Sequence, residues 1–213
     1  RDFCLSRGLG DVYKRQVYQV DYNGKDEALK WYLKDEGDLF YHNLQHNVNS
    51  TPPSSNFLWP LRITDRQKGG FGYVMHLRPK GYYELGDFFT AKVQFKNYDS
   101  VLHAAINICN GFLRLHLSGY SYQDLNEGNF FINPENGNLL ICDNDNVAAN
   151  RTESGIKGKS RYMAAEVVNG GVPNIQSDVF SLAIVLYRLF MLDHPFEGMN
   201  TLKYVCLTDD VER

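Results

Sequence analysis

The chain has 213 residues, of which 43% are hydrophobic and 22% are charged, and its formal net charge is −3. This is the balance of an ordinary globular protein, large enough for one domain or two small lobes, and it argues against a protein that binds nucleic acid or a membrane surface through bulk positive charge. The apolar run Ser181–Leu192 contains Arg188 and is too short to span a bilayer.

The four cysteines lie far apart in the sequence and form no C-x-x-C pair; they are Cys4, Cys109, Cys142 and Cys206. This spacing indicates a reduced intracellular protein without a disulfide framework or a zinc site. We therefore expect a cytoplasmic location.

Both ends of the chain look incomplete. Residues 1–16, RDFCLSRGLGDVYKRQ, have no starting methionine and no signal-peptide pattern, and they resemble the translated adapter sequence that contaminates metagenomic gene predictions. We leave them out of the fold prediction as a non-native segment. The C-terminus, CLTDDVER, stops after an apolar helix in the middle of a pattern, so we expect a fragment.

The first part after residue 16 predicts a small β-rich lobe. Apolar residues alternate on both sides of Asn23-Gly24, which is a strong hairpin signal and predicts strands over Val17–Tyr22 and Ala28–Leu33. A helical period follows, with Asp38 as its N-cap. The segments FLWPLRIT and FGYVMHL predict two more strands, joined by a turn at Gly69-Gly70.

The second part predicts helices and one further hairpin. Its elements are a helix over Ser100–Gly119 with Ser100 as N-cap, two short strands around a turn at Asn133–Gly137, a loop over Val147–Arg161, and a helix over Val179–Leu192 that opens at Ser177 or Asp178.

The loop GYSYQDLNEGNFFI and the hairpin after it contain the residue types that phosphoryl transfer needs. Asp124 and Asn129 have the spacing D-x-x-x-x-N, and Asp143 ends the buried strand LLIC. One acid can orient an acceptor hydroxyl, while amide and carboxylate oxygens suit magnesium. Asp145 is an alternative ligand, and DNDN could also be a run of Asx turns.

Lys30 provides a cation on the second predicted strand, two residues after Ala28 in EALKWY. Its side chain points to the face opposite Leu29 and Trp31, so it can face a cleft while they face other layers. The alternative is a lysine on the solvent face, and the downstream motifs favour the cleft.

Together these segments resemble the protein kinase superfamily over about Val17–Gly198. ALKWY resembles the lysine strand, YQDLNEGN the catalytic loop, and ICDNDN the strand that leads into D-F-G. RYMAAEVV resembles the end of an activation segment, QSDVFSLAIV the start of the next helix, and HPFEG the stretch beyond it. The set looks more like a divergent bacterial protein-kinase-like group than like mammalian-type regulatory kinases.

The resemblance implies a bilobal α+β fold. It implies a partial N-lobe at residues 17–77 that lacks its glycine-rich loop, and a partial, mainly helical C-lobe at residues 78–213. ATP and Mg²⁺ are the implied cofactors, and a protein is the implied substrate, with no nucleic-acid or membrane partner.

The resemblance also assigns roles to single residues. Lys30 would contact the nucleotide phosphates, Asp124 would orient the substrate hydroxyl and accept its proton, and Asn129 and Asp143 would ligate magnesium. In the adenine pocket we expect Ala28, Met75 as the gatekeeper, and the backbone of His76 and Arg78. Glu166 and Asp178 would have structural roles.

The sequence departs from the family pattern in two places in the N-lobe. Gly8-x-Gly10 looks like a glycine-rich loop, but a third glycine is absent and the segment lies in the excluded residues, so we reject it. The helix also has Tyr41, His42 and Asn43 where a glutamate partner for Lys30 is expected. Glu36 at the helix entrance is our prediction for that partner, and His42 or Asn43 could bond Lys30 instead.

Two further departures lie near the catalytic loop. Tyr122-Gln123 replaces His-Arg, and a glutamine cannot pair with a phosphorylated residue, so we infer no arginine-based switch and a permanently ordered segment. Asn126 stands where a lysine is expected, and Lys159 could supply that charge from the opposite side of the site. A solvated loop lysine is the alternative.

The preferred interpretation is an ATP- and Mg²⁺-dependent protein serine/threonine kinase-like phosphotransferase, weak or inactive as this fragment. One alternative is a small-molecule phosphotransferase, since DLNEGN is close to the D-L-x-x-G-N of aminoglycoside- and choline-type kinases. Another is a pseudokinase that acts as a scaffold, which the missing glutamate favours.

Overall fold

The computed structural model describes residues 5–8, 15–34, 36–66, 70–155 and 158–199. Its helices are α1 (Asp38–Val48), α2 (Leu85–Phe89), α3 (Tyr98–Leu117), α4 (Ala165–Val168) and α5 (Ile175–Met191). Its strands are β1 (Leu5–Gly8), β2 (Arg15–Tyr22), β3 (Lys25–Tyr32), β4 (Arg62–Ile63), β5 (Phe71–His76), β6 (Tyr83–Glu84), β7 (Tyr120–Ser121), β8 (Phe130–Ile132), β9 (Leu139–Ile141) and β10 (Ala148–Ala149). A β-rich part therefore precedes a mainly helical part, which confirms the bilobal α+β class.

The first five strands form one antiparallel sheet in the order β1-β2-β3-β5-β4. The hairpin between β2 and β3 is confirmed, with Tyr22 opposite Lys25 and with Asn23 and Gly24 at positive φ angles of 55° and 76°. Two consecutive residues with positive φ are the signature of a tight hairpin turn. Both strands begin earlier in the chain than predicted.

The N-terminal segment contributes to this sheet. β1 pairs with β2, and Leu5 lies opposite Val20. Gly8 of the rejected glycine motif ends β1, while Gly10 lies outside the described residues. The foreign origin of residues 1–16 and the boundary between residues 77 and 78 stay predictions.

The predicted strand FLWPLRIT is wrong for its first half. Only Arg62–Ile63 forms a strand, and the segment before it packs against the helical part instead. The backbone N–H of Leu58 donates to the carbonyl of Ile141 at 2.8 Å, and the ring of Phe57 lies edge-on to Phe112 of α3 at 6.3 Å. Gly69 of the predicted turn lies outside the described residues.

Three helix starts differ from the prediction. Asn97 caps α3 and accepts the backbone N–H of Ser100, so Ser100 lies inside the helix. Asn174 caps α5 in the same way, and Ser177 completes a capping box. α1 begins at Asp38 itself, after Gly37, and has no side-chain cap.

The helical part has its own apolar core, to which Ile108 and Phe112 of α3 and Val185 of α5 contribute fully buried side chains. Truncation of a buried phenylalanine such as Phe112 to alanine costs about 3–5 kcal/mol. No helix among the described residues has both the length and the apolar character needed to cross a membrane.

The predicted hairpin of β8 and β9 is present, and its turn packs on α3. Gly137 in this turn has a φ of +71°, and a Cβ built on it would lie 2.3 Å from the carbonyl oxygen of Ser100. Only glycine fits this close approach. The turn thereby fixes where the end of β9, and the acids after it, meet the sheet.

Candidate active site

Lys30 is buried, with 3% of its side chain exposed, and its ammonium contacts two carboxylates. Nζ lies 2.9 Å from Oδ1 of Asp143 and 2.9 Å from Oδ2 of Asp145. On the sheet Lys30 lies opposite Tyr73, whose ring centroid is 5.8 Å from Nζ. Burial of a charge is costly unless the charge is paired, so the solvent-facing alternative for Lys30 is wrong.

The two acids belong to one turn directly after β9. Asp143 adopts the left-handed conformation, with φ 52° and ψ 41°, and Asn144–Asn146 form a 3-10 turn. Asn and Asp tolerate this conformation better than other residues with a Cβ. The reversal directs both carboxylates toward Lys30. They differ in burial, since the side chain of Asp143 is 30% exposed and that of Asp145 is 0% exposed.

The structure does not bring Glu36 to Lys30. Glu36 precedes α1, and within the described residues the carboxylates found at the ammonium are those of the turn after β9. His42 contacts Gln45 on its own helix, and Asn43 donates to the carbonyl of Val147 at 2.8 Å. The prediction of Glu36 as the partner is therefore corrected: helix α1 provides an amide that bonds the turn, and the turn provides the carboxylates.

Asp178 holds the backbone of the predicted catalytic loop. Its carboxylate accepts the N–H of Tyr122 at 2.6 Å and the N–H of Gln123 at 3.0 Å. His116 of α3 lies 3.0 Å from the same carboxylate. Asp178 is 1% exposed. The geometry agrees with the structural role predicted for Asp178.

The side chain of Asp124 points toward the acids after β9. Its Oδ2 accepts a hydrogen bond from Asn146 at 3.2 Å, and its Oδ1 accepts one from Asn126 at 3.1 Å. The amide nitrogen of Asn129 donates to the backbone carbonyl of Asp124 at 2.7 Å. Two neutral side-chain amides, those of Asn146 and Asn126, thus hold the Asp124 carboxylate on the side of the turn after β9.

Asn129 and Asp143 have the donor atoms and the placement for a magnesium site. The backbone N–H of Cys142 donates to the carbonyl of Asn129 at 2.9 Å, so the two residues flank the same end of the β8–β9 hairpin. The amide nitrogen of Asn129 is used in a hydrogen bond to the loop, so its amide oxygen is the atom that can bind a metal ion. Amide and carboxylate oxygens are hard ligands that suit Mg²⁺, so the residues present fit this ion.

Tyr122 connects the loop to the same hairpin. Its hydroxyl donates to the carbonyl of Cys142. Burial, together with the nearby carboxylates of Asp143 and Asp124, raises the pKa of Tyr122 well above its usual value. The hydroxyl is therefore a neutral hydrogen-bond donor. Tyr122 stands where the resemblance described above predicts a histidine.

A cavity of about 490 Å³ opens beside Asp143, between the sheet and the helical part. The apolar residues on its walls include Val17, Ala28, Leu58, Met75 and Phe131. Ala28 and Met75 lie opposite each other on β3 and β5. The volume and the apolar residues suit a planar ring. Asp143 places one carboxylate at the end of the cavity.

The segment after β5 forms the outer edge of this cavity. Arg78 lies in it and His76 ends β5 just before it; both residues line the cavity and are predicted to contact the adenine edge. The guanidinium of Arg78 donates to the carbonyl of Tyr82 at 2.7 Å and lies 4.1 Å from the ring centroid of Phe131. These contacts fix the connection between the two parts of the chain along the cavity.

Lys159 reaches the catalytic loop from the opposite side. A Cβ built on Gly128 would lie 3.9 Å from its Nζ. The acids that interact with Lys159 include Glu84 and Glu127. Burial raises the pKa of Glu84, and Asp87 raises it further, whereas Lys159 opposes the shift. The position of Lys159 agrees with the predicted replacement of the charge lost at Asn126.

A neutral side-chain amide bonds the described residues after the acids to the catalytic loop. Gln123 donates through Nε2 to the carbonyl of Thr152 at 2.6 Å and accepts the N–H of Ser154 at 3.0 Å. β10 pairs with β7 in the same region. The segment is therefore ordered by backbone contacts.

Glu166 is exposed, and its side chain forms no ion pair within the part of the chain that the structure describes. Its carbonyl accepts the N–H of Gly171 at 2.8 Å. Its structural role stays a prediction.

Three polar residues of the site were not found from the sequence, or not in the role they have. Asp145 is a charge partner of Lys30, Asn146 bonds Asp124, and the amide nitrogen of Asn47 donates to Val147 at 2.8 Å. The repeated acid-amide pattern DNDN after a buried strand is the signal that could have indicated the first two.

Comparison with known proteins gives a family match. A model of the protein kinase domain matches residues 72–211. Protein kinase C delta type of Mus musculus is 27% identical over 207 residues, which cover 92% of this chain and 30% of the relative.

Two further relatives come from other lineages. The serine/threonine-protein kinase STY46 of Arabidopsis thaliana is 29% identical over 145 residues, 66% of this chain and 23% of the relative. A probable LIM domain-containing serine/threonine-protein kinase of Dictyostelium discoideum is 26% identical over 210 residues, 93% of this chain and 31% of the relative. The chain thus spans less than a third of each relative's length.

Proposed function

The chain belongs to the protein kinase family, and from this premise we propose that it transfers the γ-phosphoryl group of ATP to a serine or threonine hydroxyl of a protein. The proposal gives the chain the general activity named for its relatives, all of which are longer proteins. ATP and Mg²⁺ are part of the proposal.

The observation that carries the proposal is the convergence of four polar residues around the turn after β9, which borders the cavity at Asp143. Lys30 contacts Asp143 at 2.9 Å, and Asp143 lines the cavity. Asn129 bonds the backbone of Cys142, next to Asp143. Asp124 is joined to the same turn through Asn146. A cation, an acid for the hydroxyl and two oxygen ligands are the parts that phosphoryl transfer needs.

Each residue has a defined part in the reaction. Lys30 binds phosphate oxygens of ATP. Asp124 orients the acceptor hydroxyl and accepts its proton while the hydroxyl oxygen bonds to the γ-phosphorus and the bond to the β–γ bridging oxygen breaks. ADP leaves with that electron pair. Asn129 and Asp143 would hold Mg²⁺, which would neutralise charge on the phosphates.

Two departures from the family pattern define the finer proposal. Lys159 replaces the positive charge missing at Asn126, since it approaches the loop at Gly128. Gln123 bonds the backbone of Thr152 and Ser154, and this supports a segment that needs no phosphorylated residue for its order.

The small-molecule alternative is less well supported. Ser181 of α5 donates to the carbonyl of Tyr162 at 2.5 Å, and Arg188 of α5 bonds the hydroxyl of Tyr162. These contacts hold the YMAAE segment on α5, beside the catalytic loop. An ordered surface beside the catalytic loop can bind an extended protein substrate, whereas a small alcohol is too short to contact it.

The scaffold alternative rested on the missing helix glutamate. Lys30 nevertheless has carboxylate partners at 2.9 Å, so the loss of that glutamate does not leave the lysine uncompensated. The retained Asp124 and Asp143 also favour an enzyme.

Calorimetry of the intact protein with ATP, in the presence and absence of Mg²⁺, tests the proposal. We expect binding that Mg²⁺ strengthens, and we expect Asp143→Asn to lose the Mg²⁺-dependent part. Asp26→Asn, the same change on the exposed β2–β3 hairpin, is the control. No ATP binding by the intact wild-type protein would favour a scaffold.

Finer placements stay proposals. Membership of a divergent bacterial group rests on the motif pattern alone, since the three relatives described above are eukaryotic.

A cytoplasmic location is supported by the free thiols of Cys109 and Cys142, and Cys4 and Cys206 lie outside the described residues. The division into lobes at residues 17–77 and 78–213 follows the change from strands to helices after β5.

A further inference from the structure

The two carboxylates at Lys30 have different surroundings. Asp143 is 30% exposed and lines the cavity, so a bound ligand can reach it. Asp145 is 0% exposed and is absent from the cavity wall. Its Oδ2 contacts Lys30 and also accepts the hydroxyl of Tyr32. Asp145 is therefore placed to hold Lys30 and not to meet a ligand.

The helix next to this pair contributes no carboxylate to it. The amide nitrogen of Asn43 donates to Val147 at 2.8 Å and lies 3.5 Å from the carbonyl of Asp145. Asn47 is fully buried and donates to Val147 at 2.8 Å and to Asn144 at 3.3 Å. The helix thus holds the backbone of the turn, and the turn holds the lysine.

We propose that Asp145 is the positioning residue of Lys30 and takes the place of the carboxylate that helix α1 lacks. The inference deepens the proposed function and rests on it. With Mg·ATP bound, Asp143 would hold the ion, while Asp145 would stay paired with Lys30 and keep its ammonium directed at the phosphates. A pair of buried charges has strong mutual attraction and well-defined geometry.

The proposal assigns Asp145 no role as a magnesium ligand. One of its oxygens is used by Lys30 and Tyr32, and the other, Oδ1, is buried and accepts no hydrogen bond among the described residues. Because its charge depends on Lys30 for compensation, the two residues form one unit. The unit joins β3 to the turn after β9 and does not require α1 to move.

Nucleotide affinities of the intact protein test the inference. Asp145→Asn keeps the size of the side chain and an acceptor for Tyr32 but removes the charge. We expect it to weaken Mg·ATP binding about tenfold, because a charged hydrogen bond at the phosphates loses its orientation. Adenosine, which has no phosphates, should bind with unchanged affinity. Asp26→Asn is the matched control, since Asp26 is exposed on the β2–β3 hairpin.

A rescue experiment separates positioning from a structural role. Asn43 faces the turn from α1, so Asn43→Glu places a carboxylate on the helix close to residue 145, where the variant has lost its charge. In the Asp145→Asn background it should restore at least part of the lost Mg·ATP affinity. Tyr32→Phe, which removes a donor to Asp145 and keeps the ring, should weaken Mg·ATP binding in the same direction by a smaller factor.

The outcomes are distinct. Equal weakening of Mg·ATP and adenosine by Asp145→Asn, or unchanged Mg·ATP affinity, overturns the inference and leaves the proposed function intact. A wild-type protein that binds no Mg·ATP overturns the proposed function and the inference with it. Selective loss with rescue by Asn43→Glu supports the positioning role.

Discussion

The side-chain oxygen of Gln123 accepts the backbone N–H of Ser154 at 3.0 Å, in a region where Ser154 is fully buried. The nitrogen of the same amide donates to the carbonyl of Thr152 at 2.6 Å. A neutral amide thus holds two backbone positions of the segment that follows the acids. The contact needs no phosphate, because both partners belong to the unmodified chain.

Gln123→Ala should loosen this segment. The amide of Ser154 loses its acceptor, and its hydrogen exchange should become about tenfold faster, which corresponds to the loss of one ordinary hydrogen bond. Gln176→Ala, on the exposed side of α5, is the control and should change nothing there. Phosphatase treatment of the wild-type protein should leave its activity unchanged, and a strong loss after treatment would refute the phosphate-independent segment.

Asp178→Ala should destabilise the protein. The change leaves the buried N–H groups of Tyr122 and Gln123 without an acceptor, and each such loss costs about 1–3 kcal/mol. We expect urea denaturation to show a free energy of unfolding lower by about 3 kcal/mol. Asp99→Ala, at an exposed position in the first turn of α3, is the control with the same chemical change. Equal effects of the two variants would argue against the role of Asp178.

Lys159→Ala should lower turnover and leave the ATP affinity nearly unchanged. The ammonium approaches the catalytic loop at Gly128, and we propose that it stabilises the charge that develops at the transferred group. We expect kcat to fall about tenfold, with the KM for ATP constant. Lys96→Ala, which removes a surface pair with Glu135, is the control. An unchanged kcat would mean that Lys159 is a solvated loop residue.

Met75→Ala should enlarge the cavity where the adenine edge is expected. Met75 is 7% exposed and lines the cavity opposite Ala28. An adenosine with a benzyl group on its exocyclic nitrogen should bind this variant at least about tenfold more tightly than the wild type, because the new space buries the added ring. Equilibrium dialysis with both ligands measures the change. If adenosine binding is lost and the benzyl compound gains no affinity, the adenine ring does not bind next to Met75.

The sequence was sufficient for the class of fold, and it singled out four polar residues that lie close together in the structure. Lys30, Asp124, Asn129 and Asp143 were predicted from spacing, and the structure brings them to one cleft. Spacing succeeds here because Asp124 and Asn129 lie in one short loop, Asp143 directly follows a strand, and Lys30 lies on a strand whose alternation the sequence shows. The turn of the hairpin at Asn23-Gly24 was equally clear, since turn chemistry is local.

The helix starts were missed because two competing caps look alike in sequence. Ser100 and Ser177 each lie three residues inside their helices, and an asparagine before each of them accepts the backbone bond. Both serine and asparagine are good N-caps, so composition cannot choose between them.

The partner of Lys30 could not be read from the sequence for a different reason. Asp145 lies 115 residues after Lys30, and its direction depends on the left-handed backbone at Asp143. That conformation, and the packing of FLWPL against the hairpin, arise from tertiary contacts such as the one between Leu58 and Ile141. Local pattern carries no information about them.

Transfer of labelled γ-phosphate from Mg·ATP tests the central claim most directly. The intact protein and its Asp124→Asn variant are compared with a serine- and threonine-containing peptide library, and with an aminoglycoside and choline as small acceptors. We predict phosphoserine or phosphothreonine for the wild type, a rate about 10²–10⁴-fold lower for the variant, and equal ATP affinity for both proteins. Transfer to the small acceptors alone, or peptide transfer that does not depend on Asp124, would contradict the account.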